Sequence, residues 1–169
     1  MVAIDLKSLV GRLGALCRRQ LEAAAGLTLS RSHYNVEIEH LLLRLVETQG
    51  SDVALILSKS GVDAGRVAAE LTRALDRLRT GNARAPSLSP DIVTWLREAW
   101  VLASLEGSGA PIRSGHLLAA LLTDETLVRS AKESAPSLLG IQGDSLRRGG
   151  FEALAAGGEE AAEAATAAP

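Results

Sequence analysis

Three histidines, one cysteine and a scatter of carboxylates are the residues of this 169-residue chain whose types suit chemistry. The densest group is NVEIEHLLLRLV (35–46), where Glu37 and Glu39 precede His40. A carboxylate beside an imidazole serves as a metal site, as a general base, or as part of the packing at a helix start. Zinc needs ligands at set spacings. His33, His40, His116 and Cys17 form neither C-x-x-C nor H-E-x-x-H, so no metal site is expected. Cys17 shares a helical face with Leu13 and Leu21, which makes it a buried structural thiol rather than a nucleophile. The G-x-S-x-G elbow is absent. Phosphate binding by a P-loop requires Gly-Lys-Ser/Thr, but Lys7, Lys59 and Lys132 follow Leu6, Ser58 and Ala131. No catalytic residue is assigned, and the chain is not expected to be an enzyme.

The elements that position these residues are helical. Hydrophobic residues make up 47% of the chain and aromatics only 2%, so the core is built from Leu, Val, Ile and Ala. Ala and Leu are strong helix formers, whereas sheets favour aromatic and β-branched residues. The fold class is all-α. One cysteine forbids an intramolecular disulfide and points to a reducing compartment. The N-terminal MVAIDLKSLVGRLG is neither a signal peptide nor a membrane span. A net charge of −2, unevenly divided between 12 basic and 9 acidic groups in 1–86 and 6 and 11 in 87–169, exerts no general pull on nucleic acid or anionic membranes.

Leu6, Leu9, Val10, Leu13, Leu16, Cys17 and Leu21 follow the i, i+3, i+4, i+7 spacing of an amphipathic helix, capped by Asp5 and either kinked or divided near Gly14. A polar break at 30–35 leads into a helix ending near Thr48. Ser51 then caps a helix that stops at Gly61, and Asp63 caps one that runs to Gly81. Residues 80–88 read as a connector. Ser89 with Pro90 starts a helix that ends at Gly107 and Gly109, and another runs from about Ser114 to Thr123. Shorter helical pieces are expected in 124–134 and around 143–155. Trp95 and Trp100 sit on one helix, one in the core and the other near the connector or a partner. The tail 157–169 has no apolar residue larger than Ala and reads as a flexible linker.

The chain also resembles itself. NVEIEHLLLRLV (35–46) and PIRSGHLLAALL (111–122) place His-Leu-Leu at equivalent points, with Val36 matching Ile112 and His116 lying 76 residues after His40. Two tandem four-helix units of such size bury their apolar faces by packing on each other as one pseudo-symmetric domain. The second copy replaces the glutamates by Arg113, Ser114 and Gly115. What persists is a histidine at a helix start, so His40 and His116 are read as structural, bonding free backbone groups of the first turn.

The doubled EHLL/GHLL pattern in two helical repeats resembles the N-terminal domain of Clp/Hsp100 AAA+ unfoldases. Within that family, HYNVEIEHLL (33–42), RALDRLRTGNARAPSLSP (73–90), LREAWVLASLEGSGAPIRSGHLLAALL (96–122) and the extra segment IDLKSLVGRLG (4–14) are similar to the ClpV branch, the unfoldases of type VI secretion. The resemblance implies a substrate-recognition domain over 1–156, with the extra helix at 4–14, repeat one over about 15–80, repeat two over about 88–155, and a linker to absent ATPase modules. Its implied partner is a short N-terminal helix of the large, VipB-type sheath protein, bound in a hydrophobic groove to direct sheath disassembly in the cytoplasm. No cofactor is implied in this fragment; ATP and magnesium belong to the missing modules of a full-length hexamer, the fragment itself being a monomer. One groove wall falls on Leu6, Leu9, Val10 and Leu13, and the other is assigned to Leu88, Leu138, Leu139 and Phe151. Arg12, Arg18 and Arg19 would steer a polar rim. Taken without the resemblance, the same apolar stripe equally suits a fully packed helix. The alternative within the family is a ClpA/ClpC-like domain binding adaptor proteins for proteolysis.

Overall fold

The computed structural model describes residues 5–106, 109–143 and 159. Eight α-helices carry these residues: α1 (Leu6–Gly11), α2 (Ala15–Ser30), α3 (Ile38–Glu47), α4 (Asp52–Lys59), α5 (Ala64–Asp76), α6 (Pro90–Ser104), α7 (Ser114–Thr123) and α8 (Glu125–Ser134), followed by a 3-10 turn at Pro136–Gly140. Several starts follow from a single side chain. Asp5, Ser51, Asp63, Ser89 and Asp124 each accept a hydrogen bond from the backbone N–H of the second or third residue of the helix they cap. The segment from Asp5 divides into two helices, with Gly14 as the N-cap of α2. Gly61 and Gly81 adopt φ of +71° and +101°. Gly81 is not where α5 ends, however; that helix stops at Asp76, where Arg77 and Leu78 N–H turn back to Ala74 and Leu75 carbonyls.

Two-residue strands, not legible in the sequence pattern, tie the repeats together. Strand β1 (Asn35–Val36) runs parallel to β2 (Ser87–Leu88), pairing Val36 with Leu88. Leu13 pairs in the same parallel sense with Ile112, through Gly14 N–H to Ile112 O at 3.0 Å and Ile112 N–H to Arg12 O at 2.8 Å. The exchange is reciprocal: the segment before α3 pairs with the segment before α6, and the segment before α7 pairs with the segment before α2. This is the two-repeat arrangement expected from the doubled His-Leu-Leu. Repeat one supplies α2–α5, and repeat two supplies α6–α8 with the 3-10 turn. The helical piece expected around 143–155 lies outside the described residues except for Gly143.

The core is aliphatic and runs through both repeats, with α3 packed on α2 and α5, and α7 on α6, α8 and α4. Trp95 is its largest side chain, fully buried, and its indole N–H donates to Leu117 O at 2.6 Å. Trp100 is half-buried against the core. Helix α1 packs on α6. None of the described helices is long and apolar enough to cross a membrane.

Candidate functional site

His40 and His116 occupy the third position of α3 and α7, and both do the same thing. Glu37 N–H donates to His40 Nδ1 at 2.9 Å, and Arg113 N–H donates to His116 Nδ1 at 2.9 Å. A backbone N–H can only donate, so each Nδ1 is an acceptor and each Nε2 carries the proton of a neutral ring. That proton goes from His40 to His33 Nδ1 at 2.8 Å, and from His116 to the Glu106 carboxylate at 3.0 Å. The duplicated motif is therefore a helix-start device. Of the glutamates near His40, Glu39 accepts from the Ser134 hydroxyl at 2.6 Å. Among the described residues no group of three or more His, Cys, Asp or Glu is placed to hold a metal ion.

Burial holds His40 down to about 4, with His33 and Arg31 adding to the shift, and burial also lowers His33 and His116. A folded-state value below the unfolded one near 6.5 contributes stability that is present above pH 6.5 and lost as the pH falls towards 4. Urea midpoints are expected to fall steeply across that window. His40→Gln keeps an acceptor for the Glu37 N–H but cannot be protonated there. It is expected to cost about 1–2 kcal/mol at pH 7 and to flatten the acid slope; a slope equal to that of the parent would contradict the assignment.

Asp52 and Arg113 join the two repeats at the starts of α4 and α7. Arg113 Nε and Nη2 donate to the two Asp52 oxygens at 2.9 and 2.8 Å, and Gly115 N–H reaches Asp52 at 3.3 Å. Asp52 has no exposure and the Arg113 side chain is 8% exposed. The pair is structural, too deep to meet a macromolecule.

Open apolar surface lies elsewhere. Leu9 on α1 (0% exposed) and Leu13 just after it (4%) enter the core. These two do not line an open groove wall, in contrast to the expectation. The neighbouring i, i+4 ridge, Leu6 and Val10, is half-buried and rests against the core margin. Leu88 is half-buried in β2, while Leu138 is buried and Leu139 exposed beside Leu122, Val128 and Lys132, lining a depression of about 350 Å³. Phe151 lies outside the described residues. The C-terminal end of α6 is a surface that the sequence analysis did not assign to the groove. Val101 in its last turn is 44% exposed, and Leu105, its C-cap, is 79% exposed. With Leu102, Ala120 and the α7–α8 junction at Thr123–Thr126, they edge a depression of about 780 Å³. The spacing of Val101 and Leu105, i and i+4, was the available signal; nothing in it says whether a neighbour covers them.

Residues 16–135 match the model of the Clp repeat (R) N-terminal domain. The chain belongs to this family. As a Clp N-domain it is 32% identical over 127 residues to the AAA+ ATPase ClpV1 of Pseudomonas aeruginosa, an alignment covering 75% of this chain and 14% of that protein. It is 35% identical over 137 residues to the chaperone protein ClpB of Yersinia enterocolitica, covering 81% and 15%. The chain thus spans about a seventh of the length of the curated relatives it matches. The Clp N-domain fold is also that of a solved complex of a ClpV N-domain with a VipB peptide, at 30% identity and a TM-score of 0.74, covering 92% of this chain and 94% of that one. Clp N-domains are substrate-binding rather than catalytic.

Proposed function

We propose that this Clp N-domain is the substrate-recognition module of a type VI secretion unfoldase, docking the N-terminal helix of the large contractile-sheath protein and so directing sheath disassembly. The observation that carries the reading is a helix ahead of the first repeat, α1, whose Leu6–Val10 ridge is left half-open on α6. The likeness to a ClpV N-domain that holds a VipB peptide supports it. An amphipathic peptide helix lays anchors at i, i+3/i+4 and i+7 into such a channel. Leu6 and Val10 form its α1 side, and the depression edged by Val101, Leu102 and Leu105 is a second open apolar surface, at the end of the helix that α1 packs on. Unfolding driven by ATP and magnesium, hexamer formation and a cytoplasmic setting belong to this proposal for the longer protein. Chemical-shift mapping with a synthetic sheath-protein helix tests the location: shifts should cluster on Leu6, Val10 and the C-terminal half of α6. Shifts confined to Leu138 and Leu139 would move the site to the other end of repeat two.

A further inference from the structure

The starts of α4 and α7 meet at the repeat junction and satisfy each other only in part. Val53 N–H donates to Ser114 Oγ at 3.2 Å, and Gly115 N–H donates to Asp52 at 3.3 Å. The first-residue amides of both helices, Asp52 and Ser114, turn to a carboxylate 45 or more residues away in sequence. One oxygen of Glu159 accepts from Asp52 N–H at 3.1 Å and from the Ser114 hydroxyl at 2.5 Å. The other accepts from Ser114 N–H at 2.9 Å and from the Cys17 thiol at 3.5 Å. Glu159 is fully buried, and its donors come from α2, α4 and α7. Four donors match the roughly four lone-pair sites of a carboxylate, and two helix N-termini together favour an anion more than either alone. Residues 157–169 were expected as a flexible linker, and their one described member is instead built into the domain.

We propose that the recess between α2, α4 and α7 is a carboxylate-binding site whose resident ligand is Glu159, and that this contact is a releasable clip at the repeat junction. The electrostatics of the recess make it releasable. The Asp52 carboxylate is also present, and burial together with Asp52 pushes the Glu159 carboxyl above its usual range, while Arg113 offsets the repulsion by pairing with Asp52. The clip also lies on the stretch Ile112–Ser114, whose first residue pairs with the turn after α1. It holds whether or not α1 docks a peptide.

The test uses Glu159→Ala and Glu159→Gln in the whole chain. The Gln amide nitrogen cannot accept from an N–H or a hydroxyl, so this near-isosteric variant weakens the contact without emptying the space. Hydrogen exchange at the Asp52 and Ser114 amides is expected to quicken about tenfold or more in Glu159→Ala, and by less in Glu159→Gln, with helical circular dichroism unchanged. Iodoacetamide labelling of Cys17, the single thiol and 1% exposed, should quicken with it. If Glu159→Ala fails to fold, Glu159→Gln decides alone. Amides that keep the parent's protection in the folded variants would overturn the clip, whatever the thiol does.

Discussion

Arg113→Ala is expected to destabilise the domain by about 3–5 kcal/mol, the range for removing one partner of a buried ion pair. The reason is what the substitution leaves behind. Asp52 has no exposure, and its two oxygens take 2.9 and 2.8 Å bonds from the guanidinium fork. Without Arg113 a bare carboxylate remains at the repeat junction, within reach of the Glu159 carboxylate that shares the Asp52 and Ser114 amides. Arg113→Lys is expected to recover only part of the loss, because an ammonium cannot present two parallel N–H groups. Asp52→Asn combined with Arg113→Ala should recover more than additivity allows, since the uncompensated charge is then gone. Urea denaturation at pH 7 measures all three. A loss below about 1 kcal/mol for Arg113→Ala would mean that the junction takes up water and that the pair does not lock the repeats.

The second large effect falls on binding. Leu6→Glu with Val10→Glu is expected to weaken binding of the sheath-protein helix about 30-fold or more, roughly 2 kcal/mol, while the thermal midpoint moves little. Both residues are half-buried at the core margin, so a charged replacement can turn its carboxylate to water in the free domain. In the complex that route is closed by the peptide. Leu9→Glu is a poor test of the same idea. Leu9 is fully buried, so the variant is expected to lose the fold of α1 together with any binding. Retained affinity in the Leu6/Val10 double variant would exclude α1 from the docking surface.

Much of the architecture was legible because its causes are local. Asp5, Ser51, Asp63 and Ser89 cap helices through their own side chains, and Pro90 opens α6. The doubled histidine was legible too, since the same residue at the same helix position twice implies a shared backbone task. The rest depends on what comes close from far along the chain. Two-residue strands such as Asn35–Val36 carry no periodicity to read. Gly81 has the left-handed backbone of a helix stop, yet α5 ends five residues earlier. Apolar spacing placed Leu6, Leu9, Val10 and Leu13 on one face but could not divide the core ridge from the open one. Nor could it show Val101 and Leu105 uncovered on α6. Apolar spacing also gives no sign of Glu159, which is held by hydrogen bonds from two helix starts.

Titration calorimetry of the purified domain with a synthetic N-terminal helix of the large sheath subunit tests the central claim most directly. The expected result is one-to-one binding in the micromolar range, about −8 kcal/mol, with avidity in a hexamer supplying the working affinity. A heat-silent titration with no chemical-shift change at millimolar peptide would contradict it.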